Sequence, residues 1–132
     1  MSTARRASPE ETRQIEDDLC AGVYPGIRVD LPPPNRHWFV SEVGGERVGF
    51  ACLSVDKNDL VGVLCRCWVH PRFRGNGVAG ALWQGREALA QELHVALLQV
   101  IVNTDEAEEK YKSRGFRVQI ALGKGRRLMV RP

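Results

Sequence analysis

Two apolar segments separated by an amphipathic one constrain this chain more than any other feature. Leu60 to Val69 carries Val61, Val63, Leu64, Cys65, Cys67, Trp68 and Val69, and Val95 to Val102 is almost continuously apolar. Runs of this kind fit strands covered on both faces, which places them centrally in a sheet. Between them, Gly77 to Leu93 sets Val78, Ala81, Leu82, Leu89 and Leu93 mainly three and four residues apart, as on one face of a helix. This order predicts a strand-helix-strand crossover, which is right-handed in nearly all folds and lays the helix over the sheet. Ligands of open α/β sheets bind beyond the carboxyl ends of the strands, here residues 69 to 79 and 102 to 111.

The flanking sequence supplies the other elements. Ser8-Pro9-Glu10-Glu11 reads as a helix cap, a proline at the first helical position and acids in the first turn, so a helix is expected from Pro9 to Cys20. Pro25 and Pro32-Pro33-Pro34 then interrupt regular structure, leaving residues 21 to 36 as a long loop with at most one short helix. A loop of that length in a compact domain is usually functional. Trp38 to Val43 and Arg47 to Val55 form a hairpin about Gly44-Gly45. Asp105 to Ser113 reads as a helix, and Phe116 to Leu122 with Arg127 to Val130 as a last hairpin about residues 123 to 125. The expected fold is α/β: one domain over residues 1 to 132, with a central mixed sheet of six to seven strands flanked by helices. A chain of 132 residues is long enough for one sizeable core.

Charge and cysteine usage narrow the partners. The net charge is +3, with Lys and Arg interleaved among acids rather than clustered, so no nucleic-acid partner is expected. The balance suits an anionic small molecule held by a few local cations. No apolar run is long enough to cross a bilayer and no leader pattern opens the chain, so no membrane partner is expected and the cytoplasm is the expected location. Cys20, Cys52, Cys65 and Cys67 form no CxxC pair, and no metal is expected. Cys65 and Cys67 are read as small buried side chains on one face of a strand.

The segment from Val69 to Ala79 has chemistry of its own. It leaves a central strand, turns through Arg74-Gly75-Asn76-Gly77 and enters a helix at Val78. Glycines there let the backbone approach a ligand, while the free N–H groups of the first helical turn, with the positive end of the helix dipole behind them, attract an anion. Arg72 and Arg74 can add charge-assisted contacts to phosphate. The spacing is neither that of a P-loop nor of a dinucleotide fingerprint. A plain surface turn with two solvated arginines remains the alternative from spacing alone.

Arg74-x-x-Gly77-x-Ala79, preceded by Val69-x-Pro71, resembles the [Q/R]-x-x-G-x-[G/A] signature of the GNAT superfamily of N-acetyltransferases. Ala107-x-x-x-Tyr111-x-x-x-Gly115-Phe116 is similar to a second segment of that family, in the family's order. The resemblance covers residues 37 to 120 well and the first 36 loosely; it implies a short first strand near Ala4 to Ala7. It implies acetyl-CoA as cosubstrate, held by Trp68, Val69, Arg74, Gly75, Asn76, Gly77, Val78, Ala79 and Asn103. Asn103 stands four residues before Ala107, where the family usually has three. The implied reaction is direct transfer of acetyl from acetyl-CoA to a primary amine, whether small molecule, peptide N-terminus or lysine. In that reaction a backbone N–H near Val69 serves as oxyanion donor, and Tyr111 protonates the departing thiolate. A homodimer is left open. So is a second reading, a catalytically weak acyl-CoA-binding regulatory module.

That second reading is motivated by the general base. An alkylamine is mostly charged at pH 7, and deprotonating it costs about 4 to 5 kcal/mol, yet the strand ending at Val69 offers only Cys65, Arg66 and Cys67. Its nearest acid is Asp59, at the far end. His70 reads as a solvent-facing linker, His94 as structural or exposed, and His37, Glu42 and Asp56 remain as distant candidates. Trp38, Trp68 and Trp83 read as core rather than as a substrate wall. Glu16, Asp17 and Asp18 read as a solvated helix face, with steering of a cationic amine as the alternative.

Overall fold

The computed structural model describes residues 3–132. Strands β1 (Ala4–Arg6), β2 (Arg36–Val43), β3 (Glu46–Asp56), β4 (Val61–Val69), β5 (Leu97–Val102), β6 (Arg117–Gly123) and β7 (Arg126–Arg131) form one sheet in the order β1-β2-β3-β4-β5-β7-β6. Only β4 and β5 run parallel. Helix α1 (Pro9–Cys20) precedes β2, α2 (Val78–Glu92) makes the crossover from β4 to β5, and α3 (Asp105–Lys112) leads into β6.

Helix α1 begins where its sequence directs. Ser8 Oγ accepts from Glu11 N at 3.1 Å and Glu11 Oε1 accepts from Ser8 N at 2.9 Å, a reciprocal capping box. Its Ile15 and Leu19 pack with Trp38, Val40, Phe50 and Cys52 on one face of the sheet. The opposite face receives Val78, Leu82, Trp83, Leu89 and Ala90 of α2 over Phe39, Val48, Ala51, Leu53, Leu64 and Val100. Fully burying each of the large apolar side chains is worth about 1.5–3 kcal/mol, so the two helices clamp the sheet from both sides.

Two local expectations change, for β5 and for Cys65 and Cys67, and two points left open, the loop after α1 and the pairing of the last hairpin, are decided. Residues 21 to 35 contain no helix; Tyr24 and Ile27 pin that loop to the α1 face instead. Strand β5 is covered on one face rather than two, since Ile101 is 53% exposed. Arg66 takes a left-handed conformation (φ 53°), which breaks the alternation of β4, so Cys65 is half-buried while Cys67 is exposed. The last hairpin folds back so that β7, not β6, pairs with β5, and β6 becomes an exposed edge. No helix of the described residues is long and apolar enough to cross a membrane.

The decisive feature is where β4 and β5 part. Their parallel pairing ends at Leu64↔Val100, while β4 continues against β3 as far as Gly49↔Val69. Over residues 65 to 69 the β5 side of β4 therefore faces no strand, and the sheet opens as a wedge.

Candidate active site

The wedge carries two adjoining cavities, and β4 contributes to both. The first, about 720 Å³, takes Cys67, Trp68 and Val69 from β4, Pro25 to Ile27 from the loop, Phe73 to Gly75 and Gly77 to Gly80 from the turn, and Glu106, Lys110 and Arg114 from α3 and its end. The second, about 710 Å³, takes Val63 to Arg66 from β4, Arg28 to Pro33 from the loop, Ile101 and Asn103 from the end of β5, and Arg126. The boundary falls between Arg66 and Cys67 on the strand and between Ile27 and Arg28 on the loop.

Helix starts explain the character of the first cavity. Helix α3 is capped by Thr104, whose Oγ1 accepts from Ala107 N at 3.1 Å, and carries three acids in its first turn. Helix α2 has neither: Gly77 at its cap offers no side chain, and no acid follows. The N–H groups of its first turn are left for a ligand, with the positive end of the helix behind them. Gly75 and Gly77 both sit at φ 81°, where a side chain is strained, and a Cβ on either would meet no protein atom within 4 Å. Gly80, inside the first turn and on the cavity wall, is equally open. Arg74 leans back along the turn, its Nε donating to Val69 O at 3.1 Å. These features fit a pyrophosphate: open space over bare backbone donors, with a guanidinium alongside.

Of the residues expected to hold a cofactor, Trp68, Val69, Arg74, Gly75, Gly77, Val78 and Ala79 come together on this wall. Asn76 is exposed between the two glycines and is not part of the wall. Asn103 lines the second cavity instead. The Tyr111 ring lies against Phe116 (centroids 5.2 Å apart) and Trp83 (6.3 Å), with the Arg114 guanidinium 5.3 Å from its centre. Tyr111 belongs to neither cavity's lining; the wall on its helix is made by positions 106 and 110.

The side chains considered as bases have other work. His70 Nδ1 accepts from Arg72 N at 3.1 Å and caps the short 3-10 turn after β4. His37 Nδ1 lies 2.9 Å from Arg6 Nη2, and burial, aided by the charges of Arg6 and Lys57, holds its pKa below the usual imidazole value. Glu42 pairs with Arg5, and Asp56 Oδ1 accepts from Asn58 N and Asp59 N at a turn. Glu16 is no solvated steering group: its Oε2 accepts from Trp38 Nε1 and from Arg36 Nε, each at 2.7 Å. Burial raises its pKa, but those hydrogen bonds outweigh burial and hold the carboxyl below its usual value.

Two features were not anticipated. Arg86 is buried (1% exposed), its Nε donating to Leu82 O and its Nη1 to Cys52 O. The sequence signal was there, since position 86 continues the apolar stripe of Val78 and Leu82 at intervals of four. Cys52 and Cys65 stand opposite each other on β3 and β4, both near Ser54 Oγ, at 3.9 and 4.0 Å. Hydrogen bonding with Cys52, helped by Ser54 and the charges of Arg66 and Arg86, draws the Cys65 thiol below the ordinary range against the effect of burial, and Cys52 is pushed up.

Comparison with solved structures places the whole chain in a known architecture. The ribosomal-protein-S18-alanine N-acetyltransferase of Escherichia coli superposes with a TM-score of 0.77 at 17% identity, covering 100% of this chain and 94% of that one. The PaiA N-acetyltransferase of Thermoplasma acidophilum, solved with coenzyme A, gives 0.73 at 14% identity over 99% and 98%. Ard1 of Thermoplasma volcanium gives 0.68 at 22% identity over 98% and 96%. No curated protein matches the chain significantly. The acetyltransferase (GNAT) family matches residues 4–116, from the start of β1 to the residue before β6. With the wedge between β4 and β5 and the bare helix start beside it, that match settles the affiliation: the chain belongs to the acetyltransferase (GNAT) family of acyl-CoA-dependent enzymes.

Proposed function

We propose that this acetyltransferase moves an acetyl group from acetyl-CoA directly to a primary amine. The observation that carries the proposal is the uncapped start of α2, where positions 75, 77 and 80 leave open space over backbone donors inside the first cavity. In this reading Arg74 and the N–H groups of residues 78 to 80 hold the pyrophosphate, and Trp68 and Val69 border the path into the wedge. Acetyl-CoA supplies the acyl group as an activated thioester. Backbone N–H groups of β4 beyond Leu64 lie where the sheet leaves its β5 side open, and one near Val69 donates to the carbonyl oxygen as charge develops there. Although its ring lines neither cavity, the Tyr111 hydroxyl is assigned the return of a proton to the departing sulfur, a role that a phenol can fill as donor.

No carboxylate of β4 faces the wedge; the acids on the two walls are Glu106, exposed on α3, and Asp30, held by two arginines. This favours the amine losing its proton to water, and it also keeps alive a binding module with weak catalysis. Release of free CoA thiol with a panel of amines separates the two. Turnover on at least one amine is expected; tight acetyl-CoA binding without turnover on any of them overturns the transferase reading in favour of the module.

A further inference from the structure

The second cavity has a charge pattern that speaks to the acceptor, and the inference drawn from it rests on the transferase reading above. Its charged lining is three guanidiniums, Arg28, Arg66 and Arg126, against one carboxylate, Asp30. Asp30 is shared: Oδ2 accepts from Arg28 Nη2 at 2.6 Å and Oδ1 from Arg66 Nη2 at 2.8 Å. Arg66, whose side chain is only 10% exposed, is further fixed by donating to the Asp30 carbonyl at 3.0 Å. Arg126, at the start of β7, makes no ion pair among the described residues. The remaining wall is largely apolar, from Leu31, Pro32, Pro33, Val63, Leu64 and Ile101.

A cavity with an excess of two positive charges and an apolar floor repels a polyamine or an aminosugar, which would carry more positive charge into it. It suits a ligand with a negative head and an apolar body. Guanidinium is the group best matched to a carboxylate, which it can grip through two parallel hydrogen bonds. The wall adjoins the cofactor cavity at Arg66 and Cys67, so an amine held here lies beside the place where the two cavities meet.

We infer that the acceptor is a small amine that also carries a carboxylate and an apolar side chain, with Arg126 as the group that reads the carboxylate. Arg28 and Arg66 supply the surrounding field, moderated by Asp30. A peptide N-terminus, whose neighbouring carboxyl is an amide, lacks the feature Arg126 would read.

L-leucine, L-leucinamide and 3-methylbutylamine share one apolar body and differ in the group beside the amine, so they test the inference directly. With acetyl-CoA saturating, kcat/KM for leucine is expected to exceed that for each of the other two by at least about tenfold, the scale of one charge-assisted pair. Leucinamide has the less basic amine, so a preference for leucine over it does not come from easier deprotonation. The preference should collapse to within about twofold in Arg126→Ala, survive in Arg126→Lys, and increase in Asp30→Asn, which releases Arg28 and Arg66. Arg126 is exposed and Lys keeps the charge, so the pair of variants separates recognition from folding. Calorimetry of the three amines on the CoA-loaded protein gives a readout independent of chemistry. Equal or better use of leucinamide or 3-methylbutylamine, or a preference unmoved by Arg126→Ala, overturns the inference while leaving the transferase reading intact. Absence of turnover on every amine, with carboxylate-dependent binding still present and lost in Arg126→Ala, overturns the transferase reading and leaves the carboxylate site standing. Absence of both overturns the inference as well.

Discussion

The two cavities of the wedge abut on one strand, yet they are assembled in opposite ways. The first is built chiefly from one stretch of chain, Cys67 to Gly80, and its polar groups include backbone N–H groups freed by what the sequence omits: a cap and an acid at the start of α2. The second draws on four segments far apart in the chain, around residues 30, 65, 102 and 126, and its charged lining is mostly guanidiniums. A backbone site demands glycines and a helix start, whatever acceptor the enzyme serves. A side-chain site is free to vary with the acceptor. If the two proposed roles hold, the contrast teaches that the cofactor half of the site is written locally, while the acceptor half is written in the tertiary structure.

The hardest blow to this contrast falls on the chemistry shared by both halves. If Tyr111 returns the proton to sulfur, Tyr111→Phe should lower kcat by about 10²- to 10⁴-fold, with kcat/KM falling in step and acetyl-CoA affinity nearly unchanged. The ring contacts with Trp83 and Phe116 survive that change. Turnover at the wild-type rate makes Tyr111 a packing residue only, and water the proton donor.

Arg74→Ala asks whether side chains matter to the first cavity at all. Loss of its charged contact should weaken acetyl-CoA binding by about 1.5–3 kcal/mol, measured by calorimetry. A change of a few tenths would make the site entirely backbone, and the contrast between the cavities sharper still.

Glu16→Gln tests the foundation of the second cavity, because Glu16 ties α1 to Arg36 and Trp38, where the loop of residues 21 to 35 rejoins the sheet. A loss of about 1–2 kcal/mol of stability at pH 7 is expected, the range of hydrogen bonds between charged groups in a partly buried site. The folded-state pKa of Glu16 lies below its ordinary value, so its contribution is complete above about pH 5 and is lost as the pH falls through the lowered value. Denaturant midpoints of the two proteins should therefore differ by a constant amount near neutrality and converge in acid. A gap that widens on acidification would mean that Glu16 is protonated in the native state.

The smallest effect is the most discriminating. Gly80 lies within α2 at an ordinary helical conformation, and a Cβ there meets nothing within 4 Å. Gly80→Ala should raise stability by about 0.5–1 kcal/mol while weakening acetyl-CoA binding, because the added methyl enters the first cavity. Gain in melting temperature with undiminished affinity would move the phosphate away from that turn.

The sequence alone determined the parallel crossover, because apolar runs and helical spacing are local patterns that burial enforces. It determined α1 through its capping box and the open turn before α2 through Gly75 and Gly77, since φ and free N–H groups depend on immediate neighbours. Trp68, Val69 and the turn residues other than Asn76 do line one cavity. Only the tertiary structure decided that β7 enters between β5 and β6, because nothing in a hairpin's own sequence says which of its strands meets the sheet. The same holds for Asn103 and Tyr111: their places along the chain were clear, but that Asn103 lines the second cavity and Tyr111 neither depends on how β5 parts from β4 and how α3 packs on Trp83 and Phe116. Glu16 looked solvated because its partners Arg36 and Trp38 lie 20 and 22 residues away. The second cavity was invisible for the same physical reason. Its four cationic and anionic side chains, Arg28, Asp30, Arg66 and Arg126, acquire a common meaning only when a loop, a bulged strand and the start of the last strand are folded against one another.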